Sequence, residues 1–208
     1  MKIARMCSKA VSVVFVIMVL GFLPASEISA ACDCSASLSR FDSRECGVVP
    51  PARDQEGCGS CFAFAAAAAY DISYLIMNPS VRPQDIDISE QHIISCSIGT
   101  CGGSLPEVPL RWMKNHRVAS EAMLRHQVVD FSCPYQDAAA QYYTYDWGHV
   151  DKLNPLYPSK HEIKEAICRH GSVISAMKTP PPSSTRATVT RRVAVYLMKR
   201  PIFRQTIS

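Results

Sequence analysis

Glycine is scarce in this chain, with 9 in 208 residues, and charged residues make up only 19% against 48% hydrophobic. Those proportions exclude collagenous and disordered classes and suffice for one sizeable core, or for two lobes. No internal repeat is found, which removes solenoids and arrays. Positive charge is missing where a nucleic-acid surface would need it. The formal charge is +4, yet Lys2, Arg5 and Lys9 precede residue 30 and seven Lys or Arg lie within 178–208. Residues 31–177 hold 12 bases and 17 acids, so the body is acidic and no nucleic-acid partner is expected.

The N-terminal apolar run, Ala10 to Leu23, falls short of the about 20 residues that a spanning helix requires. Three bases precede it, and Pro24 and the small residues Ser29-Ala30-Ala31 follow. This pattern predicts a secretory signal over residues 1–30, cut after Ala30 or Ala31, with no stable membrane span thereafter. Cys32 as an acylated residue would need a leucine three positions earlier, which is absent. A secreted, lumenal or periplasmic location then governs the cysteines. Nine remain once Cys7 is removed, and an odd count in an oxidising compartment points to one free thiol or to a lost partner.

Along the body, Val48-Val49-Pro50-Pro51 reads as extended and residues 53–57 as a loop. From Phe62 to Met77 Asp71 is the only strongly polar residue, in an alanine-rich helix that belongs in the protein interior. Ser89 is a cap for a short helix through Cys96, Gly102-Gly103 forms a turn, and residues 109–115 form another helix. Residues 141–153 alternate and are rich in tyrosine, as a strand would be. Ser159 and Glu162 make a capping box for a helix to Arg169, stopped by Gly171, and residues 172–177 are β-prone. Helices first and strands later predict an α+β fold with segregated lobes. After residue 177 the chain becomes basic and rich in Pro, Ser and Thr, with only 193–197 able to form a strand or helical turn.

Cys61 stands where a loop ends and the buried helix begins. Unpaired amide donors and the positive end of the helix dipole favour a thiolate there, as a nucleophile requires. The segment from Gln55 to Phe64 reads Gln-Glu-Gly-Cys-Gly-Ser-Cys-Phe-Ala-Phe. It resembles the active-site segment of the papain-like cysteine peptidases, in which Trp or Tyr usually occupies the place of Phe62. Ile88-Ser89-Glu90-Gln91 with Cys96 resembles a second family segment. Cys101-Gly102-Gly103 with Leu105-Pro106 resembles the glycine-rich substrate loop, without its usual Asn. Residues 162–167 and 171–173 resemble the helix and strand opening the β-rich lobe.

The resemblance implies a two-lobe fold whose β-barrel lobe is incomplete, and a peptide or protein substrate. It implies Cys61 as nucleophile and Gln55, with the Cys61 backbone amide, as oxyanion donors. Gly102 and Gly103 would accept a substrate backbone as an added strand, and Leu105 and Pro106 would line an apolar specificity pocket. Cys58 would pair with Cys101 and Cys96 with Cys133, while Cys32, Cys34, Cys46 and Cys168 have no assigned partner. Neither cofactor nor metal is implied.

The likeness breaks in one place that matters chemically. The family's His and Asn lie about 130–150 residues beyond the nucleophile, a window that opens here at residue 191. The last His is His170 and the last Asn is Asn154. The expectation is therefore a partial peptidase domain over 31–177, a foreign basic tail over 178–208 from truncation or a shifted frame, and negligible activity from this polypeptide alone. Where the family usually carries a propeptide, about ten residues separate Ala31 from Phe41. Two alternatives stay open: a secreted, non-catalytic peptide-binding pseudoenzyme, and a thiol–disulfide oxidoreductase using Cys58 and Cys61 as a C-x-x-C pair. A Cys58–Cys61 disulfide would favour the oxidoreductase; a Cys58–Cys101 disulfide with free Cys61 would favour the peptidase.

Overall fold

A computed structural model describes residues 33–134, 141–154, 156–176 and the backbone of 195–199. The predicted signal and most of the predicted basic tail lie outside the described residues. Four helices come in the order α1 (Cys61–Met77), α2 (Glu90–Cys96), α3 (Glu107–Asn115) and α4 (Lys160–His170). Between α3 and α4 run β1 (Arg117–Val118), β2 (Tyr142–Tyr143) and β3 (Asp146–His149); β4 (Ile174–Ser175) and β5 (Val195–Lys199) follow α4. The fold is α+β, with α1, α2 and α3 preceding all of the described strands.

Helix α1 is apolar on nearly every side because it runs through the core. Phe62, Ala63, Ala66, Ala67, Ala69 and Leu75 are buried along it, and Ile86, Ile88, Ile93, Ile94, Leu110, Met113 and Val118 pack around it. Small alanines let neighbouring elements approach the α1 backbone closely. Asn78 closes the helix, its side-chain amide donating to the Tyr74 carbonyl at 2.8 Å.

Seven residues are too few for α2 to be stable alone, and buried polar side chains fix it in place. The Ser89 hydroxyl accepts the His92 N–H at 3.0 Å and donates to the Leu124 carbonyl. Gln91 donates to the Val129 carbonyl and accepts the Gln127 N–H, both at 2.9 Å. His92, fully buried, accepts the Ala119 N–H on Nδ1 at 2.9 Å. The segment Ser89-Glu90-Gln91 thus binds the 119–129 loop to the core.

The β elements form two small sheets. Strands β1 and β2 pair antiparallel, with Val118 opposite Tyr142. In the second sheet β5 lies between β3 and β4, antiparallel to both, with Trp147 opposite Met198 and Ile174 opposite Tyr196. Strand β5 falls inside the region expected to be a foreign tail, at the one stretch there with strand character. Among the described residues β3 and β4 are the edges of this sheet.

Helix α4 begins with a capping box: Ser159 Oγ accepts the Glu162 N–H at 3.2 Å and Glu162 Oε2 accepts the Ser159 N–H at 2.6 Å. Its C-terminal end presses on α1. Gly171 has φ 91°, and a Cβ there would lie 2.1 Å from Ile76 Cδ1, so only glycine fits. A disulfide joins Cys34 to Cys168, spanning 134 residues and fastening the N-terminal stretch to α4. Sequence reasoning assigned neither cysteine a partner. Lys164 adds a 2.6 Å hydrogen bond to the Leu38 carbonyl along the same seam.

One cation serves three acids beneath the first lobe. Arg53 contacts Asp71 at 3.7 Å, Glu90 at 2.9 Å and Asp87. Asp71 is 1% exposed. Burial pushes its carboxyl up to about 8; the shared Arg53 charge opposes that shift without overcoming it, and Asp87 and Glu90 add to it. Burial also raises Asp87 and Glu90, and lifts nearby Glu121 to about 7.

These carboxyls are protonated more readily folded than unfolded. Their support is complete below about pH 4 and is lost as pH rises toward about 8. Thermal unfolding should therefore show Tm falling from pH 5 to pH 8, by about 2–4 °C per kcal/mol lost, and Asp71→Asn should flatten the profile. A Tm that climbs toward pH 8 contradicts this assignment. Ser159→Ala, measured by urea unfolding, is expected to cost about 0.5–2 kcal/mol through loss of the cap.

Candidate active site

Cys61 is the first residue of α1, exposed, with a free thiol. The preceding Ser60 supplies no side-chain cap, and the first turn holds no acid. The positive end of a 17-residue helix therefore meets the sulfur without a competing carboxylate. The backbone turns into α1 with the Ser60 carbonyl accepting from the Ala63 and Phe64 amides at 2.8 and 3.2 Å.

Cys58 is bonded to Cys101, which stitches the segment before the helix to the glycine-rich loop. The Gly59 N–H donates to the Cys101 carbonyl at 2.8 Å, and a Cβ on Gly59 would stand 2.6 Å from that oxygen. Glycine is thus required by the approach of the two loops. With Cys58 committed to Cys101, Cys61 has no C-x-x-C partner, and the disulfide pattern is the one that favours the peptidase over redox exchange. Cys96 is bonded to Cys133, and Cys46 is also disulfide-bonded.

Gln55 is half-buried on the turn leading to Cys58, and its Nε2 donates to the Cys58 carbonyl at 2.9 Å. A primary amide has two N–H bonds, so one remains for an oxyanion. Gly102 and Gly103 are exposed beyond Cys101, their amides bonded to Thr100 Oγ1 and the Thr100 carbonyl. Leu105 is 63% exposed, and Pro106 sits at the start of α3. The structure thus brings Gln55, Cys58, Cys61 and the Cys101–Gly103 loop together through covalent and backbone links, with Leu105 and Pro106 following on the same loop.

The histidines are placed elsewhere. His92 is in the core, His116 stacks on Trp112, and His149 lies on β3 beside Trp147. His161, exposed on α4, pairs with Glu165 at 3.5 Å, and the carbonyl of His170 at the end of α4 accepts from Ser73. His126 faces the Gln55 carbonyl at 3.3 Å. Among the described residues none is hydrogen-bonded to the Cys61 sulfur.

Among the described residues two clusters have metal-like composition. Cys96 and Cys133 lie near His92, but their sulfurs are bonded to each other and are not thiolate ligands. Oxygens of Asp87, Glu90 and Glu121 approach within 4.8 Å, and Arg53 already serves the first two as counter-charge. Sequence reasoning missed this cluster. A lone Asp71 in an otherwise apolar helix was the signal for the Arg53 network that Asp87 and Glu90 share, since a buried carboxyl calls for a polar partner.

A model of the papain family cysteine proteases matches residues 38–190, continuing past Met177, where the likeness visible in separate motifs ends. Peptidase 1 of Dermatophagoides pteronyssinus is 28% identical over 141 residues, covering 67% of this chain and 41% of that protein. Mouse procathepsin L is 29% identical over 147 residues, with 68% and 41% covered. The chain thus spans about two fifths of the length of these relatives. The bromelain protease of Ananas comosus, solved with the E64 inhibitor, superposes with a TM-score of 0.52 at 23% identity, covering 66% of this chain and 60% of that one; this likeness bears on the fold alone. Taken with the free thiol at the head of a buried helix, the match over most of the body shows that this chain belongs to the papain family of cysteine proteases.

Proposed function

We propose that this chain carries the nucleophile half of a peptide-bond hydrolase and that the 208-residue polypeptide turns over peptides negligibly by itself. The observation that carries the reading is the exposed free thiol of Cys61 at the positive end of α1, beside a disulfide-fixed loop. Cys61 attacks the scissile carbonyl, and the second Gln55 N–H and the Cys61 backbone amide receive the developing oxyanion. An extended peptide or protein substrate lies along Gly102 and Gly103, with an apolar side chain against Leu105 and Pro106.

Among the described residues no side chain is hydrogen-bonded to the Cys61 sulfur as a proton acceptor. Without an imidazole in hydrogen-bond reach there is no base for the thiol and no acid for the leaving amine. Loss of the base from a triad acting as a unit costs on the order of 10⁶ in turnover. The disulfides favour an oxidising, secreted or lumenal setting. The same absence of a base also supports peptide binding without cleavage, in which Cys61→Ala leaves affinity unchanged.

A fluorogenic peptide assay on the refolded chain is expected to show no turnover above Cys61→Ala, while iodoacetamide labels the peptide containing Cys61. Turnover that disappears in Cys61→Ala would mean that some base reaches the sulfur, and would end the inactive reading.

A further inference from the structure

The turn that presents Gln55 is held from outside by a side chain with no part in the family motif. The Gln55 carbonyl accepts the Cys58 N–H at 3.3 Å and lies 3.3 Å from His126 Nε2. A carbonyl only accepts, so Nε2 carries the hydrogen. The His126 ring stands edge-on to Phe64 on α1, with centroids 5.1 Å apart at 87°, and its backbone N–H donates to Glu121 Oε1 at 2.7 Å. Its Nδ1 is buried without a hydrogen-bond partner, so the Gln55 carbonyl is the polar anchor of the ring.

The turn needs such an anchor. Glu56, the next residue, has φ 52°, a left-handed conformation costing a non-glycine residue about 1–2 kcal/mol. Backbone of that kind persists where its surroundings over-determine it. Asp54 Oδ1 holds one side of the turn by accepting the Glu56 N–H at 2.8 Å. His126 holds the other.

We propose that His126 is a positioning residue for the oxyanion donor: its Nε2–H fixes the Gln55 carbonyl and thereby the aim of the Gln55 amide beside Cys61. The inference rests on the reading of Cys61 and Gln55 given above. His126 is no substitute base, because the nitrogen that faces the turn donates its hydrogen to a carbonyl.

The test compares two reagents on the full chain with its disulfides intact. A peptide aldehyde is captured when the Cys61 sulfur bonds to the carbonyl carbon, the C–O π bond opens and the thiol proton passes to oxygen. That oxygen then meets the oxyanion donors. Iodoacetamide alkylates the same sulfur, the C–I bond breaking to release iodide and the thiol proton passing to solvent, and develops no such oxygen. His126→Phe keeps an aromatic ring against Phe64 and removes the N–H. The expected result is an aldehyde affinity about tenfold weaker with an iodoacetamide rate within about twofold of wild type. Gln55→Ala combined with His126→Phe should bind no more weakly than Gln55→Ala alone, because both remove one device. His126→Gln, which restores a donor, should recover part of the affinity.

Undiminished capture by folded His126→Phe, or losses that add across the double variant, would overturn the inference and leave the reading of Cys61 standing. Failure of the wild-type chain to capture the aldehyde would overturn both. If His126→Phe does not fold, His126→Leu takes its place as the variant without a donor: aldehyde capture about tenfold weaker with an unchanged iodoacetamide rate supports the strut, and undiminished capture overturns it.

Discussion

The guanidinium of Arg53 is the interaction on which the first lobe depends. It lies two residues before Gln55 and gathers Asp71 from α1, Glu90 from α2 and Asp87 from the strand-like approach to α2. Three carboxyls around one cation in a half-buried site are unfavourable without it. Removing the cation would strip the counter-charge from whichever of the three carboxyls is ionised, a loss generally of about 3–5 kcal/mol for a buried pair. The oxyanion turn is consequently moored to the core at Arg53, and the cysteine helix is moored at Asp71. The chemical centre and the ion-pair centre share one scaffold.

That arrangement explains how a short, irregular segment holds a reactive sulfur still. Between Arg53 and Cys61 lies a tight turn with a left-handed residue at Glu56, a disulfide at Cys58 and a glycine against the Cys101 carbonyl. Each device removes freedom that a loop of this composition would otherwise have. Ordering costs about 1–2 kcal/mol per residue, and here a covalent bond and buried backbone hydrogen bonds offset it. The sulfur stays exposed while everything behind it is fixed, as attack on an incoming carbonyl requires.

Much of this was legible in the residues. The apolar run from Phe62 announced α1, Ser159 and Glu162 announced α4, and Ser89 announced α2, because capping and periodicity are local signals. Helix α3 begins at Glu107, two residues before the start read from sequence, since the Pro109 ring is compatible with a first turn. The remainder depends on distance in sequence. The partner of Cys34 is 134 residues away, and His126 meets Gln55 across 71. No local pattern encodes such pairings. Strand β5 was missed as part of the sheet because its partners, β3 and β4, lie on either side of α4 in the chain and its neighbours in sequence have no β period.

The Cys34–Cys168 link bears on how the molecule is made. Ribosomes deliver the chain from its N-terminus, so Cys58 can meet Cys101, and Cys96 can meet Cys133, long before Cys168 emerges. The Cys34–Cys168 pair therefore becomes possible only when nearly all of the described chain has been synthesised. The order of synthesis thus places this closure after the Cys58–Cys101 and Cys96–Cys133 pairs, and it ties the start of the described chain to α4.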